Sequence, residues 1–234
     1  IEIIKTGSRG LFWLEPIIEF ETKEGRIGFG PVQPSDVKDI FEKGKKHQLY
    51  LGLIESIPFL KKQERITFNK CGIIDPLSLK NYCEYDGLNG LNIAKNMNPE
   101  NIIEYVKDSG LRGRGGAGFP TGIKWETVLK TPAEKKYIVC NADEGDSGTF
   151  ADRMLMEGDP FLIIEGMVIA GFATQSEKGF IYIRSEYPRA ISIMSEAIKL
   201  AKENNILGKN ILNSNQSFDL EIRVGAGSYI CGEE

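Results

Sequence analysis

Gly110-Leu-Arg-Gly-Arg-Gly-Gly-Ala-Gly-Phe-Pro-Thr-Gly-Ile-Lys124 holds six glycines in its first 13 positions, where chance would put about one or two. Glycine lets consecutive backbone N–H groups turn toward a ligand without side-chain obstruction. Such a loop, running into a helix, can cradle a phosphate or lie flat under a ring system. Arg112, Arg114 and Lys124 add positive charge. Gly113-x-Gly115-x-x-Gly118 has the spacing of a dinucleotide fingerprint, but that fingerprint follows a strand. Here Asn98-Pro99, with Ile102, Ile103 and Val106 on one face, predicts a capped helix that runs up to Gly110. The ordinary Rossmann reading therefore fails. A Walker loop fails too, because Lys124 is followed by Trp125 and not by Ser or Thr. The interleaved arginines and the apolar Phe119-Pro120 count against a mere linker.

Toward the C-terminus, helix is predicted over 124–129, strand over 137–140, and one or two helices over 150–174, broken near Gly158-Asp159-Pro160. A strand over 179–183, an amphipathic helix over 188–204 and a strand over 218–224 follow. Strands alternating with helices imply an α/β domain with a mostly parallel sheet. Each strand ends in a polar or glycine-rich turn: Asn141-Ala-Asp-Glu-Gly-Asp-Ser-Gly-Thr149, Arg184-Ser-Glu-Tyr-Pro188 and Gly225-Ala-Gly-Ser-Tyr-Ile-Cys-Gly-Glu-Glu234. A parallel sheet gathers these turns at one edge, where backbone, carboxylates and the Tyr229 phenol form a single cleft. Asn and Asp in the first turn suit the hydroxyls of a ribityl or ribose chain. The other reading of that turn is a cap for the next helix through Ser147 or Thr149; a calcium loop is disfavoured because its D-x-[DN]-x-[DN]-G spacing is not met. Glu186 is expected to pair with Arg184 or Arg189 as a structural salt bridge.

Toward the N-terminus the pattern weakens. Strands are expected over 16–20 and 26–29 with Glu24-Gly25 at the turn, then a helix capped by Ser35, faced by Val37, Ile40 and Phe41, and ended by Gly44. A hairpin with one helix is marginal alone, so residues 1–46 read as the back part of a larger domain. Residues 47–97, punctuated by Pro58 and Pro76, read as a connecting arm. Residues 98–234 form the main domain. Phe12 and Trp13 are expected in a core, and the lone His47 on the surface.

The 234 residues, 41% hydrophobic and 26% charged, allow a sizeable core, and the signature of disorder is absent. A net charge of −4 without a basic stripe argues against nucleic-acid binding. The most apolar run, 161–174, is interrupted by Glu165 and reads as a buried helix in a protein without direct membrane insertion. Cys71, Cys83, Cys140 and Cys231 form no C-x-x-C pair, which argues for a reducing, cytoplasmic setting and against a zinc ribbon or cluster run. Both chain ends read as cut.

In order, Gly110 to Trp125, Asn141-Ala-Asp-Glu-Gly145, Ile183-Arg-Ser-Glu-Tyr187 and Gly225 to Glu234 closely resemble the FMN- and NADH-binding subunit of respiratory complex I and its relatives. Those relatives include diaphorase subunits of NAD-linked hydrogenases and the beta subunit of NAD-dependent formate dehydrogenases. The run Gly7-Ser-Arg-Gly-Leu-Phe-Trp-Leu-Glu-Pro16 resembles the formate dehydrogenase beta subunit most. The resemblance implies a Rossmann-like FMN-binding domain preceded by the C-terminal part of a thioredoxin-like domain. That part lacks the cysteines with which related modules hold a two-iron cluster.

The resemblance also implies that Gly113, Arg114, Gly115, Gly116, Lys124, Asn141, Asp143, Glu144, Tyr229, Gly232 and Glu233 contact FMN, and that Phe119, Asp146 and Glu234 face NAD. The family's four-iron [4Fe-4S] cluster belongs to a helical domain beyond residue 234. The implied chemistry is hydride transfer between nicotinamide C4 and flavin N5, coupled to an iron–sulfur relay, with no catalytic side chain of the protein's own. For a formate dehydrogenase, formate oxidation falls to a partner subunit holding molybdenum or tungsten. The complex I subunit and the hydrogenase diaphorase are the alternatives within this class, and a non-catalytic assembly module is the alternative outside it.

Overall fold

A computed structural model describes residues 2–227. They form two compact units, one of residues 8–69 and one of residues 2–7 with 70–227.

In the smaller unit, β1 (Ile18–Thr22) and β2 (Gly25–Phe29) pair antiparallel with Thr22 opposite Gly25. The two-residue turn between them is held by the Thr22 hydroxyl, which donates to the Gly25 carbonyl at 2.6 Å. Helix α1 (Asp36–Lys43) follows and ends at Gly44, whose φ of 51° suits a residue without Cβ. Ser35, expected to cap it, makes no side-chain capping bond and is itself helical; Asp36 Oδ2 instead accepts the Gln33 amide at 2.8 Å. Ile40 is buried with Phe29 and Val32, and Phe41, half exposed, meets Phe20 edge-on.

β3 (Tyr50–Leu53) then pairs antiparallel with β2, and the short α2 (Pro58–Lys61) closes the unit. This return of the chain corrects two expectations. His47 is only 7% exposed: its Nδ1 accepts the Leu49 amide at 3.2 Å and its ring lies beside Phe29. Phe12 and Trp13 are 46% and 57% exposed, because Leu11 is the residue that this turn buries, against Ile54 and Leu60. Trp13 packs edge-on against Phe59. The unit division falls at Asn69, inside the expected 47–97 arm. The first part of that arm supplies β3 and α2, and the second supplies α3 (Leu79–Glu84) and α4 (Asn89–Ala94) to the larger unit.

In the larger unit, α5 (Pro99–Asp108) starts where the sequence places it, with Asn98 Oδ1 accepting the Asn101 amide at 2.8 Å. After the glycine loop come α6 (Thr121–Lys130), β4 (Tyr137–Ala142), α7 (Ala151–Gly158), α8 (Pro160–Thr174), β5 (Lys178–Ile183), α9 (Pro188–Glu203) and β6 (Asp219–Val224). The strands form one parallel sheet in the order β4-β5-β6, with Ala142 opposite Ile183 and Ile183 opposite Val224. Their C-terminal ends therefore share one edge, as the alternation of strands and helices required.

Helix α8 is the centre of the core: Phe161, Ile164, Val168, Phe172 and Ala173 are all buried in one cluster with Ile181, Ile183 and Leu220 of the sheet. Gly171 permits the close approach of Phe218, whose ring a Cβ would meet at 2.5 Å. The buried Glu165 accepts the amides of Leu88 and Leu91 at 2.9 Å each and the Tyr82 hydroxyl. Burial and this bond push the Tyr82 phenol well above its ordinary range. Lys70 pairs with the buried Asp159 at 3.3 Å and lies over the Tyr82 ring. The opposite face of β4 is open, with Tyr137 50% and Val139 64% exposed. Among the described residues, no helix is long and apolar enough to cross a membrane.

Candidate functional site

The turn after β4 is built by short-range bonds that the sequence makes available. Asn141, the exposed penultimate residue of the strand, folds its Oδ1 onto the Asp143 amide at 3.1 Å, the turn that Asn side chains favour. Asp143 is buried, 8% exposed. Glu144 adopts the left-handed conformation with φ 47°, rare for a residue with a Cβ. That reversal turns its carboxylate back onto the start of α7, where Oε2 accepts the Arg153 amide at 2.8 Å. Burial pushes the Glu144 carboxyl above the usual range, and the Arg153 amide pulls against it. Its Oε1 is buried and has no hydrogen-bond partner among the described residues.

Glu144 thus serves the helix start for which Ser147 and Thr149 were candidates; neither caps it, and Phe150 occupies the cap position. A carboxylate returning from the αL turn reaches those amides first and complements the positive end of the helix. Asp146 is exposed on the far side of the turn, where its carbonyl accepts the Thr149 amide at 3.2 Å.

Opposite, the end of β5 presents Arg184. Its Nη1 donates to the Glu144 carbonyl at 2.8 Å, and its Nη2 reaches Glu186 at 3.2 Å, which holds the Glu186 carboxyl below the usual range. The expected Arg184–Glu186 bridge is present, while Arg189 pairs with Glu157. Arg184 and Arg153 both lie against the buried ring of Tyr187. Sequence reasoning assigned Arg184 only a salt bridge. The signal that could have found its wider part was its position, one residue past the strand and across from the acidic turn.

The glycine loop is a narrow excursion closed at its neck. Thr121 donates its amide to Leu111 at 2.9 Å, Gly113 donates to Phe119 at 2.9 Å, and the Arg112 guanidinium holds the Gly118 carbonyl at 2.9 Å. Arg112 is therefore an anchor. Arg114, Gly115 and Gly116 form the exposed tip, with Gly116 and Gly118 at φ 105° and 60°. Phe119 is 49% exposed, and Lys124 projects from the first turn of α6. A cleft of about 520 Å³ lies at the root of the loop, lined by Lys107, Leu111, Arg112, Pro120, Ile123 and Glu126 among others. None of the expected contact residues lines it.

The structure thus gathers Asn141, Asp143 and Glu144 with Arg184 at one sheet edge and sets Gly113, Arg114, Gly115, Gly116 and Phe119 on one loop, with Lys124 in the first turn of the helix that follows it. Tyr229, Gly232, Glu233 and Glu234 lie outside the described residues.

HndC of the NADP-reducing hydrogenase of Solidesulfovibrio fructosivorans is 51% identical over 174 residues, covering 74% of this chain and 35% of the relative. An NADH-quinone oxidoreductase chain of Aquifex aeolicus (strain VF5) is 52% identical over 159 residues, covering 67% of this chain and 37% of the relative. A crystal structure of an NAD+-reducing [NiFe]-hydrogenase in the H2-reduced state contains a chain that superposes with a TM-score of 0.56 at 27% identity, covering 89% of this chain and 34% of that one. The chain spans about a third of the length of the curated relatives it matches. Residues 106–234 match the family described as the Nuo51 FMN-binding domain, from the end of α5 through the glycine loop and every strand of the parallel sheet, and the chain belongs to that family.

Proposed function

We propose that this chain is the flavin-binding core of a diaphorase subunit that exchanges a hydride between NAD(H) and FMN and passes electrons to or from iron–sulfur partners. The observation that carries the reading is the loop tip. A Cβ added at the exposed Gly115 would meet nothing within 4 Å and its backbone is not left-handed, so this position is kept bare although neither a neighbouring protein atom nor the chain conformation requires it, whereas Gly116 and Gly118 also answer to their positive φ. A flat ligand lying on the backbone accounts for that. The unpartnered Glu144 Oε1 beside the sheet edge is a second feature that fits a polar group arriving from outside the chain.

In this reading Gly113, Gly115 and Gly116 offer backbone to FMN, and Arg114 and Lys124 offer charge to its phosphate. Asn141, Asp143 and Glu144 meet its polar atoms, and Phe119 and Asp146 face the nicotinamide nucleotide. Tyr229, Gly232 and Glu233 toward FMN, and Glu234 toward NAD, rest on the motif alone. When bound, the flavin supplies both hydride and single-electron chemistry. The protein's part is to position and to exclude competing reactions.

The parent assembly is an NAD(P)-linked hydrogenase or a complex I-type enzyme by the kinship of the matching chains. A cytoplasmic formate dehydrogenase, with a molybdenum or tungsten partner, is supported by the run from Gly7 to Pro16. Co-purification separates them.

The deciding experiment is to reconstitute the full-length subunit with FMN and assay NADH oxidation with an artificial acceptor. Stoichiometric flavin and turnover are expected. A protein that takes up neither flavin nor nucleotide would be an assembly module instead.

A further inference from the structure

Glu144 is the one residue of the acidic turn whose conformation the chain must enforce. A side-chain-bearing residue holds a left-handed backbone only where its surroundings over-determine it. Two bonds do so here: the Arg153 amide on Oε2 and the Arg184 guanidinium on the carbonyl oxygen. The second is the tertiary one, reaching from β5 across to the end of β4. Arg184 is itself fixed by Glu186 and by the ring of Tyr187, and Glu186 lies only two residues along the same turn.

We propose that Arg184 is a positioning residue, whose guanidinium clamps the Glu144 carbonyl and thereby fixes the directions in which Asp143 and Glu144 face the flavin. It touches no reacting atom in this assignment. The inference rests on the flavin reading above and deepens it by naming what preorganises one wall of that site. A planar guanidinium suits the task, since separate N–H groups serve the Glu144 carbonyl and the Glu186 carboxylate at once while its face lies against Tyr187. A lysine has one nitrogen and no face to stack.

The test uses the full-length subunit carrying FMN, with Arg184→Ala and Arg184→Lys. Flavin dissociation, the flavin midpoint potential and amide exchange across residues 143–149 are measured in each. With a charge-assisted bond removed, Arg184→Ala is expected to hold FMN roughly 10- to 100-fold more weakly, with a shifted potential and faster exchange in the turn. Arg184→Lys is expected to recover part of the affinity and of the potential, a rescue that loss of packing alone would not give. If Arg184→Ala does not fold, Arg184→Lys decides: wild-type affinity together with wild-type turn exchange overturns the proposal. Unchanged affinity and potential in a folded Arg184→Ala protein do the same. A wild-type subunit that binds no FMN fails at an earlier step, and takes both this inference and the flavin reading with it.

Discussion

Gly115 and Gly116 are neighbours at the loop tip, yet they place different demands on the chain. Both have open space where a Cβ would stand, but only Gly116 has a left-handed backbone, at φ 105°. Valine at 116 would strain the backbone by about 1–3 kcal/mol whatever the ligand does, so its effect mixes folding with binding. Gly115→Val is the cleaner probe. In the full-length subunit it is expected to abolish flavin retention while leaving the thermal midpoint of the flavin-free protein within a degree or so of that of flavin-free wild type, because exposed substitutions without strain seldom exceed about 0.5 kcal/mol. Retained flavin in that variant, measured by absorbance after gel filtration, would show that the loop tip is not the bed. Arg112 illustrates the limit of residue-scale reading. In sequence it is one more positive charge beside a phosphate loop, whereas in the fold its guanidinium is spent on Gly118.

At the scale of elements, α8 was legible as a buried helix from its apolar run, but Glu165 could only be read as an interruption. Its three donors come from Tyr82, Leu88 and Leu91, which lie 83, 77 and 74 residues upstream, and no local pattern announces them. Glu165→Leu leaves those donors without a partner and is expected to cost about 3–5 kcal/mol, against about 1 kcal/mol for Tyr82→Phe, which removes one bond of the set. Urea denaturation of the two variants checks the ranking; equal losses would mean that α3 and α4 are not anchored through this carboxylate.

At the edge of the sheet, Lys178 on β5 bonds Glu221 on β6 and lowers its carboxyl below the ordinary value of 4.5. A depressed acid stabilises the fold above its ordinary range and loses that contribution as pH falls through the lowered value. Glu221→Gln should therefore flatten part of the acid-side decline in stability, seen as a smaller change of urea midpoint on lowering the pH. An unchanged profile would show the pair to be energetically silent, as solvent-exposed pairs often are.

For the whole molecule, the division at Asn69 predicts where the chain opens. The stretch around residues 62–69 carries no helix or strand and is largely exposed, so limited trypsin digestion is expected to cut first at Lys61, Lys62 or Arg65, leaving a protected fragment that begins near Lys70. First cuts at Arg112 or Arg114 in the glycine loop would contradict this ordering.

The parallel sheet, the α5 cap, the break before Pro160 and the exposed glycine loop ahead of α6 were all written in the sequence, because periodicity, proline and glycine act within a few residues of themselves. The burial of His47, the exposure of Trp13, the use of Glu144 as the helix cap and the grip of Arg184 on its carbonyl were not. Each depends on a strand or helix arriving from elsewhere in the chain, and only the tertiary structure sets which groups then meet at hydrogen-bonding distance.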